Sequence, residues 1–194
     1  MKTILLTLGE MIVLFSWFLA PAMGANRPPG KGGTIPAIRL PVPKNSDEKN
    51  YLGLSGEGFF QIPQIKARVI IIEIFSLYCP QCQAFAPEAN VLYRMVDQVP
   101  DFRNRIKLIG IGAGNSAYEV ETFKKKYDVP FPLFPDQDFG IHKMLGEVRT
   151  PYFIVIRTNK NRTHEIIYSQ PGAFEDAQIF LQQILSASGL KQEN

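Results

Sequence analysis

The sequence predicts an α/β fold in which a central mixed β-sheet carries helices on both faces. Runs of β-branched residues alternate along the chain with segments whose apolar residues recur at helical spacing, a pattern that favours a sheet between two layers of helices. The apolar runs at 152–156 and 164–168 follow one another with no helix between them, which indicates an antiparallel hairpin within that sheet. The 194 residues are enough to bury one sizeable core.

The first elements of the sheet begin after residue 68. Residues 69–75 and 106–112 are apolar runs rich in β-branched side chains, and each predicts a strand that is buried on both faces. Between them, apolar residues recur at steps of four and three, which predicts an amphipathic helix with one buried face. These apolar residues are Phe85, Ala89, Leu92, Val96 and Val99.

The second half of the chain predicts further helices around the hairpin. A helix is expected over residues 120–127, followed by an extended segment at 131–135. Asp136 is placed to cap a short helix that ends near Leu145. The last predicted helix, 174–185, has an acidic first turn that suits the helix dipole.

The N-terminus has the pattern of an export signal over residues 1–24. Lys2 precedes an apolar stretch, and Ala22 and Gly24 supply the small residues of a cleavage site, so we expect cleavage after Gly24. An uncleaved membrane anchor is the alternative, but Glu10 interrupts the stretch and leaves it too short to span a bilayer. Export predicts a periplasmic location, where disulfides persist.

Two further boundaries follow from composition. Residues 25–50 are rich in Pro, Gly, Lys and Asn, which predicts a flexible N-terminal segment. Residues 51–62 alternate weakly between apolar and polar side chains and predict a short hairpin over the edge of the domain. The folded domain is therefore expected over residues 51–190.

Composition and charge exclude several classes of function. The formal net charge of +3, without a basic cluster, argues against a nucleic-acid-binding surface. Two cysteines cannot build a disulfide-dense scaffold. A zinc site would need two ligands besides the cysteines, and His142 and His164 do not have the spacing of a compact zinc module. No flavin, haem or metal site is visible, so we expect no cofactor.

The two cysteines form the motif Cys79-Pro80-Gln81-Cys82, which follows the first predicted strand and opens the first predicted helix. At the start of a helix, free backbone N–H groups and the positive end of the dipole stabilise an anion, so the pKa of the Cys79 thiol is expected to fall. Pro80 suits the first helical position. Cys82 lies about one turn further on, close enough to attack a mixed disulfide held on Cys79.

Two other interpretations of the cysteines remain. A purely structural disulfide between them would close a very small loop and would stabilise the fold little. Two inert core cysteines are also possible, although a turn that begins with proline is a poor place to bury them. We therefore interpret Cys79 and Cys82 as a redox-active disulfide in which the first thiol attacks and the second resolves.

Glu73 is an acidic residue within the first apolar strand, six positions before Cys79. A carboxylate in such a strand is costly unless it is paired or has a chemical role. Burial would raise its pKa and would let it exchange a proton with the thiol of Cys82. The alternative is that Glu73 points outward from an edge position.

Several features in the same order resemble the thioredoxin superfamily over residues 52–187. They are the acid Glu73, the aromatic Tyr78 where a Trp is usual, Pro87 in the helix, Thr150-Pro151 before a strand, and the glycine segment 170–174 before the last helix. Jointly these motifs are specific. The long segment between residues 111 and 151 is most similar to the insertion of exported TlpA-like thiol-disulfide oxidoreductases, which include the cytochrome c maturation reductases.

The resemblance implies a thioredoxin-like fold with an N-terminal hairpin and a helical insertion before a strand that begins with a cis-proline. It implies that Pro151 is cis and lies beside the cysteine motif, and that the backbone of Thr150 pairs with an extended substrate peptide. The other substrate contacts would come from Tyr78, Pro80 and Gln81.

The resemblance further implies an exported thiol-disulfide oxidoreductase that reduces disulfides of extracytoplasmic proteins. Its partners would be protein thiols and disulfides and a membrane electron donor, with no nucleic acid, and the protein is expected to be a monomer. Gln81 stands where oxidising exported members have a His, which favours a reductase. A disulfide-donating oxidase on the same residues remains an alternative.

Two other classes of function stay open. A peroxiredoxin-like thiol peroxidase would use Ser76, three residues before Cys79, and Arg149, which precedes a strand. Position 72, however, is Ile rather than the proline found near that site in such peroxidases. A binding module would hold a partner without turnover, with a surface of aromatic residues. The candidates for that surface, Phe59, Phe60, Phe131 and Phe134, are also suited to packing on the core.

Overall fold

A computed structural model describes residues 27–159 and 163–191 of the chain. The predicted export signal at 1–24 lies outside the described residues. Within the described part of the chain, no helix is both long enough and apolar enough to cross a membrane.

The strands form one large sheet and one small one. The described residues contain β1 (Arg39–Pro41), β2 (Phe59–Gln61), β3 (Val69–Phe75), β4 (Ile106–Ala113), β5 (Leu133–Asp136), β6 (Tyr152–Thr158) and β7 (His164–Pro171). The large sheet has the order β5-β4-β3-β6-β7. Strands β3, β4 and β5 are parallel, whereas β6 runs antiparallel to both β3 and β7. The predicted mixed sheet, with its hairpin of β6 and β7, is therefore confirmed.

Six α-helices and one short 3-10 helix (Ile62–Gln64) are assigned in the described residues. The α-helices are α1 (Ser46–Leu52), α2 (Pro80–Asp97), α3 (Pro100–Arg105), α4 (Ala117–Lys126), α5 (Gly140–Met144) and α6 (Ala177–Ser188). The sequence did not predict α3. Val99, placed by its spacing in the long helix, instead precedes α3, because Pro100 starts a new helix at the first helical position.

The two faces of the large sheet are covered by different parts of the chain. Alternate residues of β3 point to opposite faces, so Ile71 and Phe75 join one apolar cluster and Ile70 and Ile72 join the other. The first cluster includes side chains of α2, α3, α4 and α6. The second includes side chains of the small sheet, of α1 and of the segment after α5. Helices therefore lie on both faces, as predicted.

The N-terminal segment is more ordered than the sequence indicated. We expected residues 25–50 to be flexible, yet Ile38 and Leu40 are fully buried and Leu40 pairs with Phe60 across β1 and β2. Because prolines and glycines surround these two residues, the alternating apolar pattern of a strand is not recognisable there in the sequence. Ile38 and Leu40 are buried because few helical side chains pack on the second face of the large sheet, and these two residues cover it instead. The folded domain therefore begins before residue 51.

The predicted hairpin within residues 51–62 is also corrected. The second strand of the predicted hairpin is present as β2, but it pairs with β1, which lies outside the predicted range. Helix α1 lies in the segment that connects β1 to β2. Asn45 caps α1, because its side chain accepts a hydrogen bond of 2.7 Å from the backbone N–H of Asp47. A polar segment of about this length forms a capped helix more readily than an extended strand.

Backbone hydrogen bonds join the N-terminal segment to the outer edge of β7. The N–H of Gly32 donates to the carbonyl of Ile166 at 2.8 Å, and the N–H of Ile166 donates to the carbonyl of Gly33 at 2.9 Å. These bonds occupy part of the free side of the last strand of the sheet.

The insertion before β6 contains α4, β5 and α5. As predicted, Asp136 stabilises the start of the short helix, since its carboxylate accepts hydrogen bonds from the N–H groups of Ile141 and His142 at 2.9 and 2.8 Å, although the N-cap position is Phe139. The antiparallel pairing of β3 with β6 brings two distant parts of the chain together. Because β3 and β6 are antiparallel, with Ile74 opposite Tyr152, the start of β6 lies beside the end of β3.

Candidate active site

Cys79 lies at the N-terminus of α2, directly after the turn that follows β3. Its sulfur accepts a hydrogen bond of 3.2 Å from the backbone N–H of Cys82, so Cys79 is the N-cap residue of the helix. Pro80 occupies the first helical position, as the sequence indicated. Both cysteines are free thiols, and the structure therefore represents the reduced form.

The two thiols have opposite acid–base character. Partial burial by itself raises the pKa of Cys79. This effect is outweighed by hydrogen bonds from Cys82, the Thr150 side chain and the backbone at Gln81, so the pKa of Cys79 is lowered. Cys82 is fully buried, and burial raises its pKa far above the ordinary thiol value. An accessible thiol with a lowered pKa thus stands next to a buried thiol with a raised pKa.

Glu73 lies beneath this pair in the core. It is on the face of β3 that packs under α2, and only 5% of its surface is exposed. No group donates a hydrogen bond to its Oε1 among the residues that the structure describes. Burial raises the pKa of Glu73 to about 8, and charge on Glu73 in turn raises the pKa of Cys82.

Thr150 and Pro151 lie on the other side of the Cys79 thiol. The peptide bond between them is cis, and the Thr150 carbonyl oxygen is 3.4 Å from the Cys79 sulfur. Pro151 is buried, and its carbonyl accepts a hydrogen bond of 2.8 Å from the N–H of Gly172. The segment before β6 and the cysteine motif are thus in direct contact.

The remaining predicted substrate contacts form the rim around Cys79. Pro80 and Gln81 are exposed at the start of α2. Tyr78 is 68% exposed, and its hydroxyl donates a hydrogen bond to the carboxylate of Glu119 at the start of α4. That bond raises the pKa of Tyr78 and lowers the pKa of Glu119. The side chain before Cys79 is therefore held in a fixed direction.

Two residues that support the turn before Cys79 were not predicted from the sequence. Asn115, fully buried just after β4, accepts a hydrogen bond of 2.8 Å from the N–H of Leu77. Gln83 donates from its Nε2 to the Leu77 carbonyl at 2.6 Å. Asn115 follows the glycines of the strand end, a context in which an Asn usually belongs to an ordinary turn. The only feature of the sequence that could have indicated this role of Asn115 is its position at the end of a buried parallel strand.

A groove of about 520 Å³ lies next to the Cys79 thiol. Its lining is Ser76, Tyr78, Cys79, Ala113, Gly114, Phe139, His142, Val148, Arg149 and Thr150. The Phe139 ring lies directly over Gly114, where a Cβ would be only 2.2 Å from the ring. His142 is fixed by a hydrogen bond of 2.8 Å between its Nε2 and the Val148 carbonyl. The groove therefore has fixed walls and lies next to the Cys79 sulfur.

The other candidate residues lie away from this groove. Phe60, Phe131 and Phe134 are buried in the core, and only Phe59 of the four predicted aromatics is exposed. His164 lies on β7. Within the described residues, no three His, Cys, Asp or Glu side chains are close enough together to hold a metal ion.

Comparisons with known proteins agree with this fold. A family model described as Thioredoxin-like matches residues 67–163, which is half of the chain. Thiol-disulfide oxidoreductase ResA of Bacillus thuringiensis subsp. konkukian is 23% identical over 107 residues, covering 55% of this chain and 58% of the relative. A ResA of Bacillus cereus matches to the same extent. The chain thus spans less than two thirds of the length of these curated relatives.

Solved structures give the same fold at low sequence identity. A Chlorobium tepidum protein assigned as thiol:disulfide interchange protein DsbE has a TM-score of 0.62 and 16% identity, covering 83% of this chain and 99% of its own. StoA from Bacillus subtilis has a TM-score of 0.54 and 18% identity, covering 78% of this chain and 99% of its own.

Proposed function

This chain belongs to the Thioredoxin-like family, and from that premise we propose that it is an exported thiol-disulfide oxidoreductase that reduces disulfides in other extracytoplasmic proteins. The observation that carries the proposal is the difference between its two thiols. Cys79 is accessible with a lowered pKa, whereas Cys82 is buried with a raised one. Such a pair suits a reaction in which one thiolate attacks and the other waits until a mixed disulfide has formed.

The reaction proceeds in two exchanges. The Cys79 thiolate attacks one sulfur of a substrate disulfide, the substrate S–S bond breaks, and the first substrate thiolate leaves and takes a proton from solvent. Cys82 then gives its proton to the Glu73 carboxylate and attacks the sulfur of Cys79. The second substrate thiolate leaves with the proton that Glu73 releases, and the Cys79–Cys82 disulfide forms. Two electrons pass to the substrate, which is the balance of a disulfide reduction.

Substrate binding is assigned to the residues around Cys79. The Thr150 backbone, next to Pro151, would pair with an extended segment of the substrate, as one strand adds to another. Tyr78, Pro80 and Gln81 are exposed around the thiol and would contact the flanks of that segment. The position of the Thr150 carbonyl, 3.4 Å from the Cys79 sulfur, supports this assignment.

We also propose the setting in which the protein works. The export pattern at residues 1–24 directs it to the periplasm, or anchors it at the membrane if the segment is not cleaved. A reductant in an oxidising compartment must be reduced again after each turnover, so its second partner would be a membrane electron donor. We expect the protein to act as a monomer.

Two alternative activities use the same site. A disulfide-donating oxidase would run the two exchanges in reverse with the same residues. A thiol peroxidase is favoured by the finding that Ser76 and Arg149 line the same groove as Cys79. It would reduce a hydroperoxide to an alcohol and water while the two thiols become a disulfide.

The decisive experiment is the reduction potential of the Cys79–Cys82 pair, measured by equilibration with thiol-disulfide buffers of defined ratio. We expect a value near that of thioredoxin, about −270 mV, which makes the protein a reductant. A value near roughly −120 mV would make it a disulfide donor.

Two further measurements separate the other classes. The reduced protein mixed with hydrogen peroxide should lose thiols no faster than free cysteine does, since a peroxidase would lose them much faster. A Cys79→Ser variant should lose all reductase activity, whereas a binding module would keep its function.

A further inference from the structure

The groove beside Cys79 is uneven in charge. Its lining is mostly apolar and includes Ala113, Val148 and Phe139. Arg149 is the one lysine, arginine, aspartate or glutamate in the lining. A ligand that fills this groove therefore meets apolar surface on most sides and a single permanent cation at the rim.

The cation is close to the place where chemistry would occur. Arg149 directly precedes Thr150, whose carbonyl oxygen is 3.4 Å from the Cys79 sulfur. Residues of an extended chain are spaced about 3.3 Å apart. A substrate strand that pairs with Thr150 would thus carry the residues flanking its reacting cysteine past the Arg149 side chain.

The charge of Arg149 is available to a ligand. Arg149 is exposed and makes no ion pair with any other described residue. Two acids near the groove are engaged elsewhere: Glu119 accepts from Tyr78 and Ser116, and Asp136 accepts from N–H groups at the start of α5. Glu147, two residues before Arg149, is exposed and does not line the groove.

The apolar wall is also set up in advance. Phe139 is 45% exposed although it is a large apolar residue, and its backbone has a left-handed conformation with φ of 56°. The distal edge of its ring lies against Gly114, and Phe139 lines the groove. Such an exposed aromatic surface beside a reactive thiol favours contact with an apolar side chain of a ligand.

We propose that this groove makes the protein selective for disulfides whose flanking residues include a carboxylate, which binds Arg149, beside an apolar side chain, which packs on Phe139. The proposal rests on the proposed reductase function and adds a substrate class to it. Arg149 acts here as a specificity-determining residue, through charge complementarity between an extended peptide and the rim of the groove.

The test uses a series of disulfide-containing peptides and the full-length reduced protein. In each pair of peptides, Glu or Lys occupies one position within two residues of the reacting cysteine, and an apolar residue occupies the neighbouring position. We expect kcat/KM to favour the Glu peptide by roughly 2- to 5-fold at one or more positions, the range of an exposed ion pair. High salt should reduce the preference, because it screens exposed charges.

Two variants with the same change in net charge identify the source of the preference. Arg149→Glu should reverse it toward the Lys peptide. Lys44→Glu changes an exposed residue outside the groove and should leave the preference unchanged. The inference would be overturned by equal kcat/KM values for both peptides at every position. It would also be overturned by a preference for the Glu peptide that remains in Arg149→Glu. Both results would leave the reductase function intact. If the wild type reduces neither peptide, the proposed function fails and this inference fails with it.

Discussion

The buried side chain of Asn115 accepts a hydrogen bond of 2.8 Å from the backbone N–H of Leu77. This bond joins the end of β4 to the turn that presents Cys79. The Nδ2 of Asn115 also donates toward the hydroxyl oxygen of Ser76 at 3.4 Å, in the same turn. The position of the Cys79 thiol therefore depends on a neighbouring strand as well as on its own helix.

The first prediction concerns the variant Asn115→Ala. It leaves the partly buried N–H of Leu77 without an acceptor, which should lower the free energy of unfolding by about 1 kcal/mol. The freed turn should also let the Cys79 thiolate lose some of its hydrogen bonds, so its pKa should rise. Denaturant titration measures the first effect, and thiolate absorbance against pH measures the second.

Asn90→Ala is the matched control for this variant. Asn90 is also buried, but its Nδ2 donates to the Tyr127 carbonyl at 2.9 Å and does not contact the turn before Cys79. The control should lose stability without any change in the pKa of Cys79. An equal pKa change in both variants would show that Asn115 has no special role in positioning the thiol.

The second prediction assigns the order of attack. In Cys82→Ala the mixed disulfide on Cys79 cannot be resolved, so a covalent adduct with a disulfide substrate should accumulate. Cys79→Ala should give no adduct, since the remaining thiol is buried and has a raised pKa. Non-reducing electrophoresis with mass spectrometry detects both outcomes, and an adduct that forms only in Cys79→Ala would reverse the assigned roles.

The third prediction concerns proton transfer by Glu73. The pKa of Glu73 is about 8, so the carboxylate that accepts the Cys82 proton becomes more abundant as pH rises through that value. The rate of mixed-disulfide resolution should therefore rise up to about pH 8 and then level off. Glu73→Gln should slow this step about 10- to 1000-fold near pH 7, where roughly a tenth of Glu73 is ionised, and should remove the inflection. Stopped-flow measurements whose pH profile is unchanged in the variant would exclude the relay.

The fourth prediction is the effect of Glu73 on stability. An ordinary Glu titrates near 4.5, whereas Glu73 titrates at about 8, so the unfolded state binds fewer protons between these values. Stability is thus full below about pH 4.5 and declines as pH rises toward 8. The loss attributable to this group is on the order of 4 to 5 kcal/mol.

Glu73→Gln removes that decline, because an amide does not ionise. Its free energy of unfolding relative to the wild type should therefore increase from pH 5 to pH 8. Both proteins keep Cys79, so the contribution of its thiol cancels in the comparison. Parallel denaturation curves at the two pH values measure the difference, and a constant difference would mean that Glu73 is not buried as a neutral acid.

The fifth prediction concerns the floor of the groove. Gly114 has a φ of +67°, and a Cβ there would meet the Phe139 ring at 2.2 Å. Gly114→Ala should displace the ring, raise KM for peptide substrates and destabilise the fold by about 1 to 3 kcal/mol. Steady-state kinetics and thermal unfolding measure the two effects.

Gly189→Ala separates backbone strain from the displaced ring. Gly189, at the end of α6, has a φ of +65°, close to that of Gly114, but no atom of the described residues lies within 4 Å of the position that its Cβ would take. This control should show the cost of backbone strain alone and an unchanged KM. A similar rise of KM in both variants would disconnect Phe139 from substrate binding.

The elements that carry the chemistry were predictable because their signals are local. A β-branched run, a helical repeat and the two cysteines between them identify β3, α2 and the position of Cys79 without any tertiary information. Glu73 was recognisable because a single acid in an apolar strand is unusual. The short hairpin of β6 and β7 followed from the same kind of pattern.

The parts that were missed depend on contacts between distant segments. Ile38 and Leu40 have too few apolar neighbours in sequence to predict burial, and they are buried only because β2 and the sheet cover them. The role of Asn115 depends on a partner 38 positions earlier in the chain, and a lone Asn after glycines is typical of a turn. The αL conformation of Phe139 likewise has no signal in the sequence.

The pairing of Gly32 and Gly33 with Ile166 has a consequence for how copies of the protein meet in solution. An outermost strand with free N–H and C=O groups is a template on which another chain can add, and this is a common start of aggregation. Here the chain itself occupies part of that template on β7. The segment before β1 thus acts as edge protection, and its glycines allow the backbone to lie flat against the strand without side chains in the way.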